Sequence, residues 1–263
     1  MAKRHALTRR RLLAATGMAT LLPPAALAQS EIRTVVVAGA TGRTGKRIVE
    51  TLNAQGYRVR GLTRDAARAE NQHGNIAEWM SCDVRNPNAV ATAIAGMDAV
   101  ICAIGYTQFA GPNGGQFVDY LGVRHLVDQA IAHKVKHMAL ISSGSAGPAR
   151  VQTRNPLFGY VGYWKTKAEN RLKTSGLSFT IVGPAGLLDN PGGAHSIRAI
   201  KRPEYIKLPM AKRVVDIGDV ATVVVASLTY PVLTGKSFAL LNEDGPPAYD
   251  WRQDVKSLPP EQS

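Results

Sequence analysis

The sequence specifies an α/β fold built on a doubly wound parallel sheet. Three observations carry that prediction. Short β-branched runs alternate with stretches of helical period from Glu31 onward, a glycine-rich turn joins the first run to the first helix, and 45% of the 263 residues are hydrophobic while only two are cysteine. Packing must therefore hold the fold, because two cysteines can neither staple a disulfide scaffold nor build a cysteine-rich zinc module. The chain is also too apolar and too weakly charged for disorder.

Strands are expected at 34–38, 57–63, 77–81, 99–103, 137–142, 179–182 and 237–241, each a short run rich in Val, Ile, Leu, Ala or Thr. Between them, helical period predicts helices at 43–55, 88–95, 117–133, 162–175 and 217–228. The helix at 117–133 shows the reasoning: Val123, Leu126, Val127, Ala130 and Ile131 fall on one face, which must be buried. Three irregular stretches, 106–116, 144–159 and 189–212, follow strands at their carboxyl ends, where open α/β sheets bind ligands. The last carries Arg198, Lys201, Arg202, Lys207 and Lys212, with Arg213 just beyond it, and reads as a small C-terminal substrate-side lobe inserted in a single domain spanning 29–263.

Residues 1–28 stand apart. Lys3, Arg4, Arg9, Arg10 and Arg11 precede an apolar stretch from Leu12 to Leu22, followed by Pro23-Pro24 and the small-x-small site Ala26-Leu27-Ala28. That order is an export signal, and its apolar part is too short for a permanent membrane span. Thr8-Arg9-Arg10-Arg11-Leu12-Leu13 resembles the twin-arginine motif, which implies export of a folded protein to the periplasm; an ordinary secretory signal holding three arginines is the alternative. Removing those 28 residues and their five cations lowers the formal charge from +13 to +8 over 235 residues. This suits anionic ligands, while the lack of a basic run interleaved with aromatics argues against nucleic acid.

The first strand runs straight into Gly39-Ala40-Thr41-Gly42-Arg43-Thr44-Gly45. Small residues are needed where a chain turns tightly, brings backbone N–H groups to a diphosphate and packs a helix onto the strand it leaves. The helix N-terminus adds partial positive charge. The spacing is GxxGxxG, and its place between VVVA and a helix in the first βαβ unit makes it a Rossmann-type dinucleotide signature.

From about Arg33 to Gly245 the sequence resembles the atypical, NmrA-like NAD(P)H-binding branch of the short-chain dehydrogenase/reductase superfamily. The resemblance rests on VVVAGATGRTGKRIVETL, VRGLTRD, Val118-Asp119-Tyr120-Leu121-Gly122, KHMALISS, KAENRLKTSGLSFTIVGPAGL and RVVDIGDVA. The second strand ends in Leu62-Thr63-Arg64-Asp65, so Arg64, with Arg43, is placed for the ribose 2′-phosphate, and NADP is favoured over NAD. Asp65 could instead meet the ribose of NAD or cap a short following helix. The resemblance further implies that Asp83 and Val84 contact adenine, and that Ala103, Ile104 and Gly105 line the ribose and nicotinamide side.

Tyr163 and Lys167 form a YxxxK pair one helical turn apart. The resemblance implies that the Tyr exchanges the proton while the Lys lowers its pKa and holds the nicotinamide ribose; alternatively, Tyr163 and Trp164 are a packed aromatic pair. Ser143, or else Ser145, takes the superfamily's substrate-orienting place, although Ser-Ser after a strand can equally be a turn. Gly183-Pro184 replaces the branch's usual Arg-Pro, which predicts a lost positive charge at the site.

No metal site is expected, since His73, His125, His133, His137 and His195 lack ligand spacing, and Gly144-Ser145-Ala146-Gly147 is not a nucleophile elbow. The doubly wound order 3-2-1-4 separates Cys82 from Cys102 beyond disulfide reach, so both should be free thiols. The sequence thus predicts an exported, NADP-dependent oxidoreductase acting on a small carbonyl-type substrate or transferring hydride directly to a flavin or quinone. A non-catalytic NADP(H)-binding sensor or structural subunit is the rival.

Overall fold

The valine run forms β1 (Thr34–Ala38), and Val35 to Ala38 are fully buried because helices cover both faces of the sheet. The computed structural model describes residues 31–108, 110–147 and 161–261; the leader expected at 1–28 and the part of the 144–159 stretch from 148 onward lie outside them.

The first half repeats the βα unit: α1 (Arg43–Ala54), β2 (Arg58–Thr63), α2 (Ala66–His73), β3 (Glu78–Ser81), α3 (Pro87–Ile94) and β4 (Ala99–Cys102). Local chemistry starts two of these helices. The Asp65 carboxylate accepts from Arg68 N at 2.9 Å to cap α2, and Asn86 caps α3 ahead of Pro87 at its first position.

The second half holds α4 (Val123–Ala132), β5 (His137–Ile141), α5 (Val161–Lys173), β6 (Phe179–Pro184), β7 (Gly186–Leu188), β8 (Ser196–Ile200), α6 (Arg202–Tyr205), β9 (Val214–Asp216), α7 (Ile217–Ala226), β10 (Lys236–Glu243) and α8 (Trp251–Ser257). The helix expected over 117–133 is two windings: Gln116–Gly122 is π-helical and runs directly into α4.

The main sheet has the order β3-β2-β1-β4-β5-β6-β10-β8, parallel except for β8, which runs antiparallel to β10 with Ala199 opposite Leu240. This is the predicted α/β class. All seven expected strands are present, and β3-β2-β1-β4 is the expected order. Cys82 and Cys102 are accordingly buried and unpaired. The expectation that 189–212 is irregular is corrected: Ser196–Ile200 joins the main sheet, burying Ile197 and Ala199 on either side of the half-buried Arg198. At the base of that segment, β7 and β9 pair in parallel, and Gly186 N donates to Arg213 O at 2.8 Å.

The sheet divides the core. On one face Val35 and Val37 pack with Ile48 and Leu52 of α1, Val220 and Val224 of α7, and Trp251 of α8. On the other, Val36 and Ala38 pack with Val90 of α3, Leu126 of α4 and Leu172 of α5. Among the described residues no helix is long and apolar enough to cross a membrane.

Candidate functional site

The turn leaving β1 is built on two close approaches. Gly39 has φ +81°, and a Cβ there would stand 2.7 Å from Ala103 O; a Cβ on Gly45 would stand 2.0 Å from Gly39 O. Gly39 therefore lets the turn lie against the end of β4, and Gly45 lets α1 start directly on the turn, which Gly42 N closes by donating to Gly39 O at 3.0 Å. Gly42 is also the N-cap of α1 and no side chain bonds the helix start. First-turn amides are thus left without a side-chain partner at the rim of a groove of about 510 Å³ that Gly39, Thr41 and Gly42 line. Uncapped amides at a helix N-terminus fit the diphosphate of a dinucleotide.

The groove gathers most of the predicted nucleotide contacts: Arg64 and Asp65 after β2, Asp83 and Val84 after β3, and Ala103 and Gly105 after β4. It also gathers residues that sequence reasoning missed, Arg68 and Gln72 of α2, Arg85, Thr107 and Asn113. Arg68 lies four residues after Arg64, in the first turn of α2, a spacing visible in the sequence. Asp65 stands in the groove wall with its carboxylate engaged as the α2 cap, in agreement with the capping alternative. Arg43 and Thr44 do not line this groove. Arg43 lines an adjoining hollow of about 310 Å³ with Lys46, Arg47 and Asp189, which shares Thr41 and Gly42 with the groove, while Arg64 and Arg68 both line the groove itself.

Asp83 is already engaged. Arg85 Nε lies 2.9 and 3.0 Å from its two carboxylate oxygens, and this hydrogen bonding from Arg85 holds the Asp83 pKa below its usual value against the opposing effect of burial. Arg85 Nη1 also donates to Pro112 O at 2.9 Å, tying the loop after β4 to the end of β3 across the groove.

The predicted catalytic residues lie beyond the groove lining, at the end of β5 and on α5. Lys167 Nζ stands 4.7 Å from the centroid of the Tyr120 ring, 5.5 Å from Trp164 and 5.7 Å from Tyr163. Tyr163 and Trp164 do pack edge to face, 4.7 Å apart, so the aromatic pair and the Tyr–Lys pair coexist. Ser143 Oγ and Ser145 Oγ hydrogen-bond at 3.0 Å and Ser145 N donates to Ser143 Oγ at 3.3 Å, while Ser142 is buried and donates to Glu169.

Two ion pairs beneath α5 escaped the sequence. Lys165 Nζ lies 2.8 Å from Oδ1 of the fully buried Asp119, whose Oδ2 accepts from Tyr106 N at 3.2 Å. Burial pulls the Lys165 pKa down, and the Asp119 carboxylate more than offsets this, leaving it raised. The second pair corrects the predicted loss of charge at Gly183. A Cβ at 183 would lie 2.8 Å from Cζ of Arg202, whose guanidinium pairs with buried Glu169 at 3.1 Å and donates to Ser143 O and to Ser237 Oγ at 3.3 Å. Helix α6 supplies the charge that position 183 of β6 lacks, and the glycine leaves room for it.

Comparison with known proteins agrees with this geometry. The sequence matches the NAD(P)H-binding family over residues 39–231. It is 32% identical over 196 residues to Protein TIC 62 of Arabidopsis thaliana, covering 66% of this chain and 30% of that protein, so the chain spans about a third of that relative's length. Sanguinarine reductase of Eschscholzia californica is 27% identical over 79% of this chain and 88% of its own. Among solved structures, the anaerobilin reductase ChuY of Escherichia coli O157:H7 superposes with a TM-score of 0.65 at 25% identity, covering 82% of this chain and all of that one. With the glycine turn, the doubly wound order and the match over most of its length in agreement, the chain belongs to the NAD(P)H-binding family, within the NmrA-like Rossmann superfamily.

Proposed function

We propose that the protein is an exported NADP(H)-dependent oxidoreductase of the short-chain dehydrogenase/reductase type. It would transfer hydride to or from a small carbonyl-type substrate or a flavin or quinone acceptor. The single observation that carries this is the pairing, in one groove, of the uncapped α1 start with the guanidinium groups of Arg64 and Arg68, while Asp65 is occupied as a helix cap. That arrangement suits a diphosphate and a second, outlying phosphate.

When bound, a reduced nicotinamide supplies a hydride to the acceptor. The chain's own residues do the rest: Gly39 and Gly42 let the backbone reach the diphosphate, Arg64 and Arg68 neutralise the ribose phosphate, and Lys167 holds the other ribose. Tyr163 donates the balancing proton to a carbonyl oxygen that Ser143 orients. Sanguinarine reductase and anaerobilin reductase are named for reductions, which supports an enzyme over a binding protein. Export rests on the order of basic, apolar and small residues over 1–28, and the twin-arginine route to the periplasm on Thr8-Arg9-Arg10-Arg11-Leu12-Leu13.

The test is turnover of NADPH with carbonyl and quinone acceptors by the wild type and Tyr163→Phe. Carbonyl reduction should fall by about a hundredfold or more in the variant, while direct transfer to a quinone should persist. Nucleotide binding without turnover on any acceptor would instead support the sensor or structural role.

A further inference from the structure

We infer that Tyr120, Trp164 and Tyr163, together with Lys167, form the binding site of a flat aromatic acceptor that carries a carbonyl or anionic oxygen. This rests on the oxidoreductase reading and adds the acceptor's chemical class. The rings form a corner. Those of Tyr120 and Trp164 are 24° from parallel with centroids 6.0 Å apart, and Tyr163 stands edge-on to Trp164 at 75°. A flat conjugated ring laid against the parallel pair extends the stack, whereas an aliphatic ligand of the same size gains the burial of its surface without the ring–ring contribution.

The cation gives the corner its polarity. Lys165 is neutralised by Asp119, but the contacts of Lys167 among the described residues are the three ring faces and no carboxylate. A partly exposed ammonium paired with no carboxylate keeps its charge while it donates to the neutral ribose, and its remaining N–H groups suit an oxygen at the edge of the ligand.

The corner also lies next to the nucleotide groove. The π-helical turn that carries Tyr120 has Val118 in the groove wall and is fastened by Asp119 to Tyr106 N, one residue past Gly105. The π winding gives this turn a residue spacing that an α-helix would not have, and it brings Asp119 to Lys165 and Tyr120 to Lys167.

The test uses the full protein loaded with NADP⁺ and calorimetry with two anionic probes, 1,4-naphthoquinone-2-sulfonate and cyclohexanesulfonate. The aromatic probe should bind at least about tenfold more tightly, and Trp164→Leu and Tyr120→Leu should each remove most of that advantage while leaving the thermal stabilisation by NADP⁺ intact. Equal binding of the two probes to the wild type, a comparison that needs no variant to fold, overturns the proposal. So does unchanged quinone binding in both variants.

Turnover separates this idea from the reading beneath it. In the reaction the quinone takes up hydride and a proton to become the hydroquinone and NADPH becomes NADP⁺. Tight aromatic binding without turnover upholds the site and removes the oxidoreductase. Turnover that is indifferent to Trp164→Leu and Tyr120→Leu keeps the oxidoreductase and removes the site.

Discussion

A single methyl group at residue 39 tests the turn. Gly39 has φ +81° and Ala103 O lies 2.7 Å from where its Cβ would be, so Gly39→Ala is strained by backbone conformation and by contact together. The variant should lose about 1–3 kcal/mol of stability in urea titrations and most of its NADP(H) affinity. Arg64→Ala removes a charge-assisted contact worth about 1.5–3 kcal/mol, so NADP⁺ should bind about ten- to a hundredfold more weakly while NAD⁺ binding stays level. Equal losses for the two nucleotides would show that Arg64 does not read the phosphate. The thiols make a separate test. Burial pushes Cys82 and Cys102 up to about 11, with Asp83 adding to the effect at Cys82, so neither forms thiolate near neutrality. A disulfide reagent at pH 7.5 should label the folded protein slowly and reach two thiols per chain only after unfolding; a rapidly labelled native thiol contradicts the burial.

Arg202 binds three elements to the site. It clasps the Ser143 loop, Glu169 on α5 and Ser237 on β10. Arg202→Ala leaves the Glu169 carboxylate, which is 1% exposed, with Ser142 and with Lys173 at 3.9 Å, and the lost charge-assisted contact should cost about 1.5–3 kcal/mol in chemical denaturation. Gly183→Ala should be destabilising for the converse reason, since its methyl would meet the same guanidinium and Ser143 O, each at 2.8 Å. A stability within about 0.5 kcal/mol of wild type in both variants would show that this clasp contributes nothing. Periodicity could reveal neither feature, because Gly183 and Arg202 lie far apart in sequence and only folding superposes them. The central parallel strands were legible for the opposite reason: β1, β4, β5 and β6 are buried on both faces and read as apolar runs between turns. β8 was not, because five residues, Ser196–Ile200, with an arginine at the centre carry too little pattern to oppose a basic, proline-bearing context. The π-helical start of the helix at 116–122 was hidden because its apolar spacing passes for an α-helix until Asp119 and Lys165 are seen to meet. At the site, the glycine turn and Arg64 could be read locally, whereas the Asp83–Arg85 latch and the cage of rings around Lys167 depend on contacts between elements.

Stability of the whole molecule should depend on pH through His137. The imidazole is buried between β5, β6 and the turn before β10, with Nδ1 at 2.9 Å from Ser178 Oγ and Nε2 at 3.2 Å from Thr180 Oγ1. Thr180 Oγ1 donates to Leu233 O, so it accepts from Nε2–H and the ring is held in its neutral form. Burial lowers its pKa to about 4. The unfolded chain takes up a proton near pH 6.5 that the folded chain refuses, so stability is full above that pH and falls as pH drops toward 4, by about 3 kcal/mol in all. The stability gap between wild type and His137→Gln should therefore narrow between pH 7 and pH 4.5 in urea titrations; a constant gap would mean that His137 titrates alike in both states. The turn at Gly39 and the guanidinium groups beyond β2 meet most directly in one calorimetric titration of the folded protein. Binding of NADP⁺ at one site per chain, at least about tenfold tighter than NAD⁺ and mostly lost in Gly39→Ala, is the result this structure predicts. No heat of binding from either nucleotide would contradict it.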